Sequence, residues 1–98
     1  MYTIYTTDVF EDWFDRLKDK QAKVRIQARI DLVEEGHFGD AKPVGEGVCE
    51  LRFFFGPGYR IYYCQKGFEI VLLLVGGDKS TQDKDIKLAL QLAKQLEE

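Results

Sequence analysis

Cysteine is scarce in this 98-residue chain: Cys49 and Cys64 are too few, and wrongly spaced, for a disulfide framework or a zinc site. Each lies in a strand-like run and is expected as a buried thiol, although neighbouring strands could bring the two together. Long apolar stretches are missing as well. The longest, residues 70–75, is far too short to cross a bilayer, and the first ten residues lack the basic flank and apolar core of a signal peptide. A cytosolic protein is therefore expected. Low-complexity tracts, internal repeats and Pro- or Ser-rich linkers are absent, so residues 1–98 are read as one small domain. An excess of positive charge is lacking too. A net charge of −3 argues against nonspecific nucleic-acid binding through a uniformly basic surface. Residues 42–79 are nevertheless slightly positive between two acidic segments, which is compatible with a local anion site.

What is present is patterning. Residues 2–6 alternate in the manner of a short strand. Asp8 and Glu11 have the spacing of a capping box ahead of an apolar stripe of Phe10, Trp13, Phe14 and Leu17. After a polar turn at residues 18–21, Ala22, Ile26, Ile30 and Val33 mark a second helix closed by Gly36, giving a helical hairpin. Residues 37–47 read as a loop. Strands are expected at 48–55, 59–65 and 69–75, joined by short turns, the last of them apolar on both faces and so central and covered on both sides. Ser80 and Asp83 suggest a second capping box before a final helix carrying Ile86, Leu88, Leu90, Leu92, Ala93 and Leu96. The expected fold is α+β, in the order β-α-α-β-β-β-α, with an antiparallel sheet packed against the helical hairpin and the C-terminal helix.

The segment LLLVGGDKSTQDKDI looks like a strand running into a phosphate loop. It fails that test. A loop of the Walker type needs several glycine amides to wrap the phosphates, and here only Gly76 and Gly77 precede Asp78-Lys79, with a carboxylate where the phosphates would lie. Period-two alternation gives a different use for the cations. Leu51, Phe53 and Phe55 share one sheet face, and Glu50, Arg52 and Phe54 the other. Tyr59, Ile61 and Tyr63 likewise oppose Arg60, Tyr62 and Cys64. Arg52 and Arg60 then project from one face beside Phe54 and Tyr62, with Lys79 leaving the adjacent strand nearby. Guanidiniums that grip phosphate and rings that stack on unpaired bases make this a candidate RNA site. The alternative is a solvated face with Arg52 paired to Glu50 or Glu69.

The stretch GVCELRFFFGPGYRIYYCQKGFEIVLLLVGGDKSTQDKDI, preceded by FGDAKPVGEGV, resembles the RelE/ParE superfamily of toxins from type II toxin–antitoxin modules. It is most similar to the HigB-like branch known as addiction module killer proteins. The resemblance implies a metal-independent endoribonuclease that cleaves messenger RNA on the ribosome and needs no cofactor. By position, Arg60 corresponds to the central catalytic arginine, and Arg52 and Lys79 to flanking basic residues. Lys42 is a further candidate for contacting RNA, along with Phe54 and Tyr62. Relatives that carry a histidine or tyrosine near the C-terminus are not matched there. The remaining proton acceptors are Glu50, Asp78, Tyr62 and the single histidine, His37, which is read first as a helix-end residue. A cognate antitoxin, commonly of helix-turn-helix type, is the implied partner, with the ribosome and messenger RNA and without a membrane. A ParE-like inhibitor of DNA gyrase and a non-catalytic antitoxin-binding module are the rival readings.

Overall fold

Thr7, rather than Asp8, opens the first helix. In the computed structural model, which describes residues 1–96, the Thr7 hydroxyl accepts a hydrogen bond from the Phe10 amide at 3.0 Å and donates to the Leu74 carbonyl at 2.6 Å. Asp8 is thereby the first helical residue of α1 (Asp8–Arg16), which follows the short strand β1 (Thr3–Thr6). Asp19 caps α2 (Lys20–Glu34) by accepting from the amides of Gln21 and Ala22. At its other end Gly36, at φ +95°, donates to the Val33 carbonyl while the His37 amide donates to that of Leu32. This paired closure needs a left-handed residue at position 36, as the sequence indicates.

The segment read as a loop contains a strand. β2 (Ala41–Gly45) pairs antiparallel with β3 (Val48–Arg52) through a tight turn in which both Glu46 and Gly47 have positive φ. Pro43 hides this strand from a propensity reading, and it is tolerated because β2 lies at the sheet edge. β4 (Arg60–Lys66) and β5 (Ile70–Gly77) complete a five-stranded sheet of order β1-β5-β4-β3-β2. The sheet is mixed rather than antiparallel, because β1 runs parallel to β5 with Thr3 opposite Ile70. The helical hairpin carries the chain from β1 across the sheet to β2 at the opposite edge, and β5 returns beside β1 after β3 and β4.

Helices cover both faces. On one, Phe10, Ala22, Ile26, Ile30 and Val33 pack on Leu51, Phe53, Tyr59, Ile61, Tyr63, Val71 and Leu73. On the other, α3 (Gln82–Gln95) lays Ala89 and Ala93 against Val48, Tyr62, Cys64, Leu74 and Val75. The two alanines, one helical turn apart, let α3 approach the sheet closely. A bulge in β5 opposite Tyr62 and Tyr63 skips Leu74, so that Leu74 and Val75 both join the α3 side. That explains an apolar run without alternation. Cys49 and Cys64 belong to opposite faces and are not bridged. No helix among the described residues is long and apolar enough to cross a membrane.

The glycine pair at the end of β5 is a packing device. A Cβ on Gly76 would be driven into the Trp13 indole, and one on Gly77 into the Asp85 carboxylate. Asp78 then caps the single 3₁₀ turn at Lys79–Thr81, accepting from the Ser80 amide at 2.8 Å and the Ser80 hydroxyl at 2.5 Å. The expected Ser80–Asp83 box is replaced by this Asp78–Thr81 box, and α3 starts after it.

Candidate functional site

One row of residues crosses four strand ends. The Arg52 amide donates to the Asp40 carbonyl at 3.0 Å, just before β2 begins. Arg52 lies opposite Arg60, and Arg60 opposite Gly77. Residues directly opposite in a sheet project to the same face. The row therefore reads Asp40, Arg52, Arg60, Gly77, and the chain continues from it to Lys79. It sits at the end of the sheet where α3 begins, beside the turn at residues 53–59.

Arg60 is the unusual member. Its residue is 5% exposed, and Nη1 donates to the carbonyls of Tyr59 at 3.0 Å, Gly58 at 3.1 Å and Phe53 at 3.5 Å. The guanidinium thus ties the Gly56-Pro57-Gly58 turn to the start of β4. Its Nε is buried without an acceptor, and Nη2 has no protein acceptor among the described residues. Among the described residues no carboxylate lies within ion-pair distance of it, and the ion pair found is Arg52–Asp40. A buried cation without a counter-ion is costly, and an anion from outside would relieve that cost.

The surroundings suit an anion attached to something flat. Lys79 is exposed, and its stem crosses Gly58 so closely that a Cβ there would lie 3.0–3.2 Å from its Cγ, Cδ and Cε. Phe53, Phe54, Gly56, Pro57, Gly58 and Lys79 line a shallow depression of about 240 Å³. Phe54 is 75% exposed, with the Arg52 guanidinium 5.7 Å from its ring centroid. Arg52 is held on its other side by Asp40 Oδ1, at 2.9 Å from Nη2 and 3.2 Å from Nε, and this hydrogen bond raises the Arg52 pKa further.

Arg29, which the sequence reading passed over, fixes the outer half of the row. From α2 it donates to the carbonyls of Phe38, Asp40 and Arg52 at 2.9–3.0 Å, and its guanidinium lies 5.0 Å from the Phe53 ring centroid. Burial lowers its pKa, with Asp40 and Tyr63 opposing. Its only sequence signal was an arginine among apolar stripe positions of α2.

The structure thus brings together Arg52, Arg60, Lys79 and Phe54, and sets Lys42 on exposed β2, opposite Glu50 in register. The other candidates are elsewhere or engaged. Tyr62 is 0% exposed beneath α3, so it offers no ring to a base. Glu50 is buried and accepts from Gln82 Nε2 at 3.1 Å. Asp78 is committed to its capping turn, and His37 stands exposed at the end of α2 with its amide closing that helix. The alternation put Glu50 and Tyr62 on the correct face, and α3 covers the part of that face that holds them.

Two tests arise from this geometry. The Tyr62 hydroxyl is buried without a hydrogen-bond partner among the described residues, and burial, reinforced by Glu50 and Asp85, raises its pKa. Tyr62→Phe is expected to stabilise the fold by about 1 kcal/mol in urea unfolding, since an unsatisfied polar group is removed. A phenol whose pKa is raised on folding contributes stability present below its unfolded value of 10.0 and lost as pH climbs beyond it. The variant should therefore lose less stability than wild type above that pH. At Gly58, φ is +77° and Lys79 is the neighbour. Gly58→Ala is expected to lower the melting temperature by roughly 4–8 °C, about 1 kcal/mol of left-handed strain, as the stem of Lys79 is displaced.

The family model described as phage-derived protein Gp49-like (DUF891) matches residues 12–96, a span running from within α1 to the end of α3 and including the whole row. A protein of Haemophilus influenzae described as uncharacterized is 50% identical over 93 residues, covering 95% of this chain and 94% of its own length. The chain belongs to the Gp49-like family of phage-derived proteins, a family associated with the toxins of toxin–antitoxin systems.

Proposed function

We propose that the protein is the toxin of a type II toxin–antitoxin module, of the RelE type and HigB-like branch, and that it cleaves messenger RNA on the ribosome and is neutralised by a cognate antitoxin. The observation that carries this reading is Arg60: a nearly buried guanidinium with no carboxylate partner among the described residues, donating to the carbonyl of Gly58, the glycine that the stem of Lys79 crosses. Such a group meets the needs of a phosphodiester under in-line attack. Arg60 and Lys79 hold the non-bridging oxygens and stabilise the charge that grows on them, while Phe54 stacks on a neighbouring base. Placement by fixed protein dipoles and cations supplies the rate enhancement. The net charge of −3 fits a substrate delivered by the ribosome rather than captured as free RNA.

Primer extension on a message translated in the presence of the purified protein is the direct test. Cuts in codon phase, leaving 2′,3′-cyclic phosphate and 5′-hydroxyl ends, are expected. Equally fast cleavage of naked RNA at physiological salt would overturn ribosome dependence. Inhibited DNA supercoiling with an intact message would replace the nuclease reading by gyrase inhibition.

A further inference from the structure

An in-line cleavage needs a group to take the 2′-hydroxyl proton, and the four candidates read from the sequence are buried, engaged or distant. We propose that Asp40 is that proton acceptor, a catalytic residue that no sequence motif marks; the inference rests on the RNA-cleavage reading above. Asp40 occupies the outer end of the same cross-strand row as Arg52 and Arg60, so its side chain projects to the face that holds the unpaired guanidinium. It is held from three directions. Its carbonyl accepts from the Arg52 amide at 3.0 Å and from Arg29 Nη2 at 2.9 Å, and its Oδ1 accepts from the Arg52 guanidinium. Its Oδ2 has no hydrogen-bond partner among the described residues, and the side chain is 33% exposed.

A carboxylate with one oxygen pinned and the other open is oriented for proton transfer. Glu50, Asp78 and Asp85 lack this arrangement. Glu50 is closed over by Gln82, Asp78 is folded into its cap, and Asp85 is 6% exposed and accepts from Thr81 Oγ1 at 2.5 Å. The charged groups facing Asp40 are Arg52 from β3 and Arg29 from α2, both cationic. General-base efficiency depends on geometry before basicity, and the contacts to Arg52 and Arg29 fix the placement of Asp40.

The 2′-hydroxyl proton passes to Asp40 Oδ2 as the 2′-oxygen forms a bond to phosphorus. The bond from phosphorus to the 5′-oxygen breaks, its electron pair leaving with that oxygen, which takes a proton from water. Asp40 returns its proton to the hydroxide so formed, and no net proton is released. Arg60 and Lys79 bear the charge on the non-bridging oxygens throughout.

A rival role for Asp40 is purely restraining: it would hold Arg52 back from phosphate. The two roles predict opposite signs for Asp40→Asn, which keeps a hydrogen-bond acceptor for Arg52. As the proton acceptor, its loss lowers the single-turnover cleavage rate on programmed ribosomes by about 100-fold or more. KM stays level or falls, because a negative charge has left an anion site, and the acid limb of the rate–pH profile disappears. Asp40→Glu, which keeps the carboxylate, should recover a large part of the rate with its acid limb. As a restraint, Asp40→Asn would cleave at the wild-type rate or faster with the profile unchanged, and that result overturns the proposal alone. If wild type makes no cut while binding ribosomes, the RNA-cleavage reading falls and this assignment with it. Melting curves of both variants separate a lost base from a lost fold: a slow Asp40→Asn that melts with wild type supports the assignment. A slow Asp40→Glu as well, melting normally, overturns it.

Discussion

Arg60→Ala is expected to abolish toxicity on induction and to reduce cleavage of ribosome-bound message by at least about 100-fold, the usual effect of removing one donor that stabilises a developing oxyanion. Arg60→Lys should fall nearly as far. Lysine restores the charge but cannot donate to the turn carbonyls of Gly58 and Tyr59 while presenting a second donor edge outwards. The same contacts give the substitution a structural cost. With Nη1 gone, those carbonyls lose a buried donor, worth about 1–2 kcal/mol, and the melting temperature should drop by about 4–8 °C per kcal/mol. The loss of activity must therefore be read beside a melting curve. Full toxicity of Arg60→Ala, in cells where the variant accumulates, would show that the site is misassigned.

The legibility of this site follows from what a local pattern can carry. The alternation in residues 50–64 correctly put Arg52 and Arg60 on one face, because strand geometry fixes that parity regardless of tertiary context. It could not say what lies above the face. The depth of α3 over Tyr62 and Glu50 depends on Ala89 and Ala93, two small residues whose closeness to the sheet only the packing reveals. The parallel pairing of β1 with β5 was hidden for a related reason, since register between distant segments leaves no local trace. Asp40 and Arg29 were missed because their importance comes from a strand that Pro43 disguised as loop. Once β2 pairs with β3, Asp40 falls opposite Arg52, and Arg29 has carbonyls to hold. Gly58 sits in a quoted motif, GPGYR, yet the reason for a glycine there lies in two contacts at once: a positive φ and the stem of Lys79.

The strand-end glycines lead to the largest effect on stability. Gly76→Ala is expected to cost about 3 kcal/mol or more and to lower the melting temperature by more than about 12 °C, although the backbone at Gly76 is not in the left-handed region. The added methyl group would meet Cε3, Cδ2 and Cζ3 of Trp13. Trp13 is half-buried but hemmed in on two sides: its ring lies 5.8 Å from that of Phe10 and 6.2 Å from that of Tyr59, and Tyr59 in turn packs 5.6 Å from Phe55 in the turn that Arg60 ties down. Displacing the indole would lift α1 from β5 and disturb that turn, so activity should fall together with stability. Trp13→Leu offers the decisive comparison. Combined with Gly76→Ala it should recover part of the loss, a coupling of about 1 kcal/mol or more, because the smaller side chain vacates the space the methyl group needs. Simple additivity of the two substitutions, or a Gly76→Ala protein that melts with wild type, would mean that the indole does not rest on this glycine. The two glycines that invite a phosphate-loop reading would then need another cause; with coupling, Gly76 is there because the indole of Trp13 occupies the place of a side chain.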